Sequence, residues 1–418
     1  DTNGDGLEDQ LLPFSDDFAA PYGVRAALED TPAVPVIDVI NKYALLRLID
    51  RDNDGFAERV ETLSSGWGHT ADYHDWAVGL PRDPAGNYYL AIPCQQDNRS
   101  LAAARHRGQA LRLVPRQPDA KDPHRYAIEV ICAGLRFPMG LALSSDGQLF
   151  ATDNQGNYNP FNELNHLLPG KRYGFINKLE FRPDFKPPLT PPAVNLPHPW
   201  TRSVNGVCFL EVPGRANAFG PFTGHLLGCE YDTRKLIRIS LQWVDGQYQG
   251  AAYPFSVEPA NPQLALEGPL ACEIAPDGAI YVGNIRDSAW GGGANTGSIV
   301  RVEQNGPLPP GIAEVRAVTD GFVIDFTAPV AADKAANAAS YRVSSYRRES
   351  TPAYGGPDLD RQEHAVRKVE LSADRTSARI TVDTMRPGFV YELRLENLAD
   401  GPVFFPDEAH YTLNRVPK

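Results

Sequence analysis

"LSSDGQLFATDN", residues 143–154, is the stretch whose reading decides the fold. An aliphatic residue leads into Ser-Ser-Asp-Gly, where the glycine tolerates the positive φ of a tight turn, and Leu149, Ala151 and Asp153 then alternate with Phe150 and Thr152. The pattern is strand, turn, strand. It returns as "IAPDGAIYVGNI" at 274–285, as "RDPAGNYYLAI" at 82–92 and, more weakly, as "GPFTGHLLGCEY" at 220–231. A second series is interleaved with the first: Leu46-Arg47-Leu48, Leu111-Arg112-Leu113, Ile237-Arg238-Ile239 and Val300-Arg301-Val302. Period-two alternation places their aliphatics on one face and each arginine on the other. Two recurring strand units of this kind predict an all-β chain whose residues 1–304 form a β-propeller, six-bladed, with seven blades as the alternative.

"QNGPLPPG" at 304–311 interrupts the pattern with prolines and glycines, and residues 305–311 read as a linker. Beyond it, "AEVRAVTDGFVIDFTAPV", "SYRVSSYRRES" and "VYELRLENLAD" alternate at period two between turns. Residues 312–418 are expected to form a small immunoglobulin-like or fibronectin-like β-sandwich with an accessory role. His364 and His410 in it are expected at the surface or as caps.

The chain has 418 residues and a net charge of −12, with no long basic run to follow a phosphate backbone, so nucleic acid is not an expected partner. No stretch reaches the apolar length of a membrane span, and the first residues lack a signal-peptide pattern, as in an exported chain already trimmed. Five cysteines without CxxC spacing read as buried thiols, with one bridged pair open to an exported protein. The expected location is secreted or periplasmic.

The densest chemistry lies in "SSGWGHTADYHDWAVG", 64–79. Trp67 and Trp76 offer flat faces for a sugar ring, His69 adds a polar contact, and His74 between Asp72 and Asp75 has the setting of a general base, with Tyr73 beside it. Substrate contacts are also expected from Trp200, Arg202 and Asn205 in "LPHPWTRSVNG", and from Arg286, Asp287 and Trp290 in "GNIRDSAWGGGANTGS". "DTNGDG" and "DRDNDG" align Asp1, Asn3 and Asp5 with Asp50, Asp52 and Asp54. Alternating oxygens before a glycine open either a calcium loop or an Asx-rich turn.

Residues 132–178 carry an ordered set: Gly134, Arg136, Pro138, Gly140 and Leu141, then Asp153, Asn154, Gly156, Glu163, Leu164 and Asn165, and finally Gly170, Tyr173 and Gly174. In this the chain resembles the soluble, calcium-containing quinoprotein sugar dehydrogenases, including the sorbosone dehydrogenase-like proteins, which are six-bladed propellers. The resemblance implies a sugar oxidoreductase with His74 as base, Tyr88 on the following inner strand, and Arg136 stabilising charge near the cofactor. It places calcium near Gly156, Asn157 and Glu163, and implies pyrroloquinoline quinone (PQQ) and a cytochrome or other electron acceptor. The chain departs from the family where PQQ is clamped. "CEYDTRKLIRIS" offers Arg234 and Lys235 away from the aligned lysine, "LEGPLACEIAPDG" has no basic residue, and Phe137 replaces an asparagine.

Two other readings follow from the residues. His69, His74, His166, His198 and His225, with Glu230 and Glu273, can supply a divalent metal, and with an arginine on a uronate carboxylate this gives a polysaccharide lyase. The missing clamps also suit a non-catalytic binding propeller of a larger electron-transfer protein.

Overall fold

The computed structural model of the chain describes every residue except 1, 5–8, 17, 19, 28–33, 73, 95–99, 181, 183, 199, 258–264, 288–292, 294 and 305. It is built from antiparallel sheets, and the α-helix Ala332–Ala335 is a single turn. Among the described residues no helix is long and apolar enough to cross a membrane. The chain divides into two units, Asp1–Leu135 with Asn177–Phe185, and Arg136–Ile176 with Lys186–Lys418.

The first unit holds two sheets. One is the meander β1 (Pro21–Ala26), β2 (Val36–Asn41), β3 (Ala44–Ile49) and β4 (Arg59–Ser65), and the other is β5 (Tyr88–Ile92), β6 (Gln109–Pro115) and β7 (Tyr126–Ala133). The repeat at 82–92 yields one strand rather than two. Pro81 and Pro84 cannot donate to a ladder, and Asp83 instead receives the Asn87 amide N–H at 2.9 Å and the Tyr89 hydroxyl at 2.8 Å, which holds a turn. Only bridges from Val78 and Arg82 remain of the expected first strand. Arg47 on β3 is buried and binds its cross-strand neighbour Asp38 through two bonds of 2.7 and 2.8 Å, while the buried Tyr88 hydroxyl donates to the same carboxylate.

The second unit begins with the meander β8 (Pro138–Leu143), β9 (Leu149–Asp153), β10 (Asn162–His166) and β11 (Val194–Leu196). It continues with β12 (Val204–Phe209), β13 (Leu226–Glu230), β14 (Lys235–Val244) and β15 (Gln247–Pro254), then the three-stranded β16 (Pro269–Ile274), β17 (Ile280–Arg286) and β18 (Thr296–Val302). The turns of the quoted repeats form as expected, with φ of 84° at Gly147 and 91° at Gly278.

The remaining strands are β19 (Ile312–Val318), β20 (Gly321–Phe326), β21 (Tyr341–Arg347), β22 (Leu359–His364), β23 (Val366–Leu371), β24 (Ser377–Val382), β25 (Phe389–Leu395) and β26 (Glu408–Leu413). They make a sheet in the order β19-β20-β24-β23 and a second row β26-β25-β21-β22. The second row is no separate sheet, because β26 pairs with β15 and the two meanders join into eight strands. Val315, Phe322, Ile324, Val343, Tyr391 and Tyr411 share one core with Ala251 and Tyr253 of β15.

Arg238 locks the junction. It is fully buried, donates to the carbonyls of Ile312 and Ala313 at 2.9 and 2.6 Å, and lies between the rings of Phe222 and Tyr253 at 4.3 and 4.1 Å. Burial draws its guanidinium down to about 10. His364 and His410 depart from the surface role expected of them. Both are buried, His364 between Ser345 and Asp383 at 2.8 and 3.2 Å, and His410 beside the Trp200 indole.

Candidate functional site

β12 packs against both β8 and β16, the first strands of the neighbouring sheets. A Cβ at Gly140 would collide with the Asn205 carbonyl, so β8 and β12 meet backbone to backbone. The sequence repeat has a structural counterpart at one end of this trio. Pro138 pairs with Asp153, Val204 with Glu230, and Pro269 with Asn284, and in each case the register slips immediately afterwards. A polar residue of each second strand therefore lies opposite the first residue of each first strand.

Two of these residues directly hold the segment that leads into the first strand. Asp153 accepts the backbone N–H groups of Arg136 at 2.9 Å and Phe137 at 2.6 Å. Glu230 accepts those of Arg202 at 2.8 Å, Thr233 at 2.5 Å and Ser203. Asn154 donates to the Ser203 hydroxyl at 3.2 Å, and the Tyr231 hydroxyl donates to Asp287, so polar side chains link neighbouring sheets at this end, the mouth of the trio.

Asp153 faces Glu163 directly across the β9–β10 pair, and both carboxyls are buried. Burial pushes Asp153 up to about 6, and burial together with the Asp153 charge pushes Glu163 well above the usual carboxylate range. The two amide donors of Asp153 offset part of the effect of burial on it. The amide oxygens of Asn159 and Asn165 are buried beside them without a hydrogen-bond partner, and Asn165 donates to Glu163 at 3.4 Å. Two carboxylates and orphaned amide oxygens are the donor chemistry of a hard cation such as calcium, and the set fits one. At Gly156 and Asn157, the other expected calcium positions, the Gly156 carbonyl accepts Gly355 N–H at 3.1 Å, and the Asn157 side chain donates to the Pro352 carbonyl at 2.7 Å.

PQQ does not fit in the same way. Its three carboxylates need cationic clamps, yet the mouth collects Asp153, Glu230 and Asp287. Arg136 donates to the Gln155 carbonyl at 3.1 Å, and Arg202 is paired with Asp232 at 3.2 Å. Arg234 and Lys235 lie exposed at the β13–β14 turn, Arg234 at a φ of 60°.

In the other unit, His74 stands on a loop fixed from beneath. Buried Asp75 accepts from Thr70 N–H at 2.7 Å and pairs with buried Arg107 at 3.3 Å, while Lys42 donates to the carbonyls of Thr70 and Asp72 at 3.2 and 2.7 Å. Above this, half-buried His74 bonds Asp72 through Nδ1 at 3.0 Å. A carboxylate on Nδ1 holds the proton there and makes Nε2 the basic nitrogen. Trp76 packs tilted at 6.0 Å from His74 and 5.2 Å from Tyr22, and His69 is exposed beside Tyr43.

The other expected contacts are placed as follows. Trp67 is buried in the core and donates to the Lys42 carbonyl at 2.9 Å. Trp200 donates to His410 at 3.3 Å, and buried Asn205 donates to the Ser203 carbonyl at 2.9 Å. Asp287 receives Tyr231, and half-buried Arg286 closes β17. Tyr73, Trp290, Asp1 and Asp5 lie outside the described residues, and Asn3 donates to Asp9 at 3.2 Å. The ligand atoms of Asp50, Asp52, Asp54 and Glu58 lie within 4.8 Å of one another. Asp50 accepts from Asn53 and Gly55 N–H at 2.7 and 3.0 Å, and Asp54 accepts from Phe56 N–H at 2.9 Å, the bond of an Asx turn. The Cys272 thiol lies in reach of those of Cys208 and Cys229.

The histidines proposed as metal ligands divide by burial. His166 bonds Gln148 at 2.9 Å, and His225 meets Arg238 at 2.8 Å. Burial lowers His166 from 6.5 to about 4, and burial with the Arg238 charge lowers His225 from 6.5 to about 3. The unfolded chain therefore binds more protons than the folded one below 6.5, and stability falls as pH drops toward 4, by up to about 1.4 kcal/mol per pH unit for each histidine. Thermal midpoints across this window check the slope, which His166→Gln should make shallower.

A family model described as "Domain of unknown function (DUF7133)" matches residues 1–186. No curated protein matches the chain. Among solved structures, a "putative oxidoreductase (glucose dehydrogenase)" from Thermus thermophilus is 23% identical, covering 66% of this chain and 77% of its own, with a TM-score of 0.40. The PQQ-bound aldose sugar dehydrogenase of Streptomyces coelicolor is 14% identical over 70% of this chain and 96% of its own, at 0.35. A gluconolactonase from Xanthomonas campestris is 12% identical over 63% and 68%, also at 0.35.

Proposed function

We propose that the chain is a β-propeller acting on sugars, an oxidoreductase of the sugar dehydrogenase class. The observation that carries this reading is the Asp72–His74 pair, a carboxylate-oriented imidazole on a loop stapled by Asp75 and Arg107. On this reading His74 takes the hydroxyl proton as hydride passes to an electron acceptor bound with the sugar. Calcium, where bound, is held by Asp153 and Glu163 with the amide oxygens of Asn159 and Asn165, and supplies charge that fixes the mouth loops. Since the PQQ clamps are not met, no step is assigned to that cofactor.

Titration of metal-stripped protein with PQQ, with and without calcium, is the first test, followed by oxidation of an aldose panel with an artificial acceptor. Sugar-dependent acceptor reduction supports the class, and its absence across the panel and acceptors removes it. Calcium should raise the thermal midpoint of stripped protein, with a gain of about 2.7 kcal/mol at a hundredfold excess over Kd. Glu163→Gln should abolish that gain while Asp50→Asn retains it; the reverse would move the cation to the exposed loop.

A uronate lyase is the second reading, favoured by the missing clamps, because β-elimination needs a base and charge neutralisation but no hydride acceptor. Release of ultraviolet-absorbing unsaturated uronate from acidic polysaccharides separates the two.

A further inference from the structure

The mouth of the β8–β12–β16 trio is completed by a loop from far along the chain. Residues 348–358, between β21 and β22, lie along the 155–162 segment through backbone and side-chain bonds. Tyr158 N–H donates to the Thr351 carbonyl at 2.7 Å, the Ser350 hydroxyl to the Tyr158 carbonyl at 2.7 Å, and Arg348 to the Pro160 carbonyl at 3.2 Å. With the Gly355 and Asn157 bonds already described, and a bridge between Asn157 and Tyr354, the loop is held at several points. Below it, Arg348 covers the Phe161 ring at 4.8 Å and pairs with Asp358 at 2.8 Å.

This fixed backbone presents one large aromatic side chain outward. Tyr354 is 68% exposed, yet its ring lies over the Arg136 guanidinium at 5.3 Å. Arg136 is itself positioned: Asp153 holds its backbone, Gln155 accepts its guanidinium, and a Cβ at Gly156 would occupy its place. An ordered loop gains little from an exposed ring, because the cost of ordering is met without the return from burial. A ring face backed by a cation matches a pyranose, whose axial C–H bonds stack on the aromatic.

We infer that Tyr354 is the stacking platform of a pyranose subsite at this mouth, supplied by the C-terminal strands, and that it sets selectivity for ring-closed sugars. The inference rests on the sugar reading above but requires no turnover. The test is binding of D-glucose and of its open-chain counterpart D-glucitol to full-length protein and to Tyr354→Ala and Tyr354→Trp, by calorimetry and by thermal shift. Glucose should bind in preference to glucitol. Tyr354→Ala should lose about three- to tenfold in glucose affinity and the preference with it, while Tyr354→Trp retains both. Equal glucose binding by wild type and Tyr354→Ala, or no glucose binding at all, overturns the inference. Glucose binding that depends on Tyr354 without sugar oxidation upholds it and rejects the oxidoreductase reading alone.

Discussion

His74→Asn lowers sugar turnover by about 10²- to 10⁴-fold, the range by which a positioned general base contributes, with little change in thermal midpoint. The side chain is half-buried on a loop whose shape is set by Asp75, Arg107 and Lys42 rather than by the imidazole. Asparagine keeps a polar group near Asp72 but has no basic nitrogen. Asp72→Asn should give a smaller loss with an altered pH profile, because an amide at that position no longer dictates which ring nitrogen carries the proton. Equal turnover by wild type and His74→Asn at all pH values would falsify the assignment, and the base would then have to be sought at the end of the β8–β12–β16 trio.

Arg238→Met destabilises the second unit by about 1–3 kcal/mol for each backbone carbonyl left buried without its donor. Methionine fills most of the slot between Phe222 and Tyr253 but cannot donate to the Ile312 and Ala313 carbonyls, which remain buried and unpaired. Scanning calorimetry measures the loss. Limited proteolysis should locate it, with cleavage appearing around residues 305–312 first. An unchanged midpoint would mean that water replaces the guanidinium at no cost, and the junction would then rest on β15–β26 pairing alone.

Local chemistry was legible in the sequence and long-range delivery was not. The Asp-Gly turns at 146–147 and 277–278 formed as read because their determinants lie within four residues of each other. Period two marked Arg47 and Arg238 as facing away from their aliphatic neighbours, but not that Asp38 or a backbone carbonyl would be waiting there. Trp67 reads as a sugar platform and Trp200 as a substrate contact because indole is ambiguous until its N–H partner is known. Those partners, the Lys42 carbonyl and His410, come from 25 and 210 residues away. Asp153 belonged to the quoted motif, and the polar residue opposite the start of each first strand, Asp153, Glu230 and Asn284, was a signal within the repeat that pointed to the mouth. Tyr354 left no such trace, since nothing in "STPAYGGPD" announces a neighbour near residue 136.

The joint between β15 and β26 bears on how the protein emerges from the ribosome. Gln249 and Tyr411, bonded at 2.9 Å across that joint, are 162 residues apart in the chain. During synthesis the outer strand of the preceding meander therefore waits, at about 5–20 residues per second, for some ten seconds or more with an open hydrogen-bonding edge. A nascent chain in that interval is a natural client for chaperones that shield strand edges. Expression of residues 1–304 alone would make the interval permanent, so edge-to-edge aggregation is the expected fate of a chain cut at the sequence boundary.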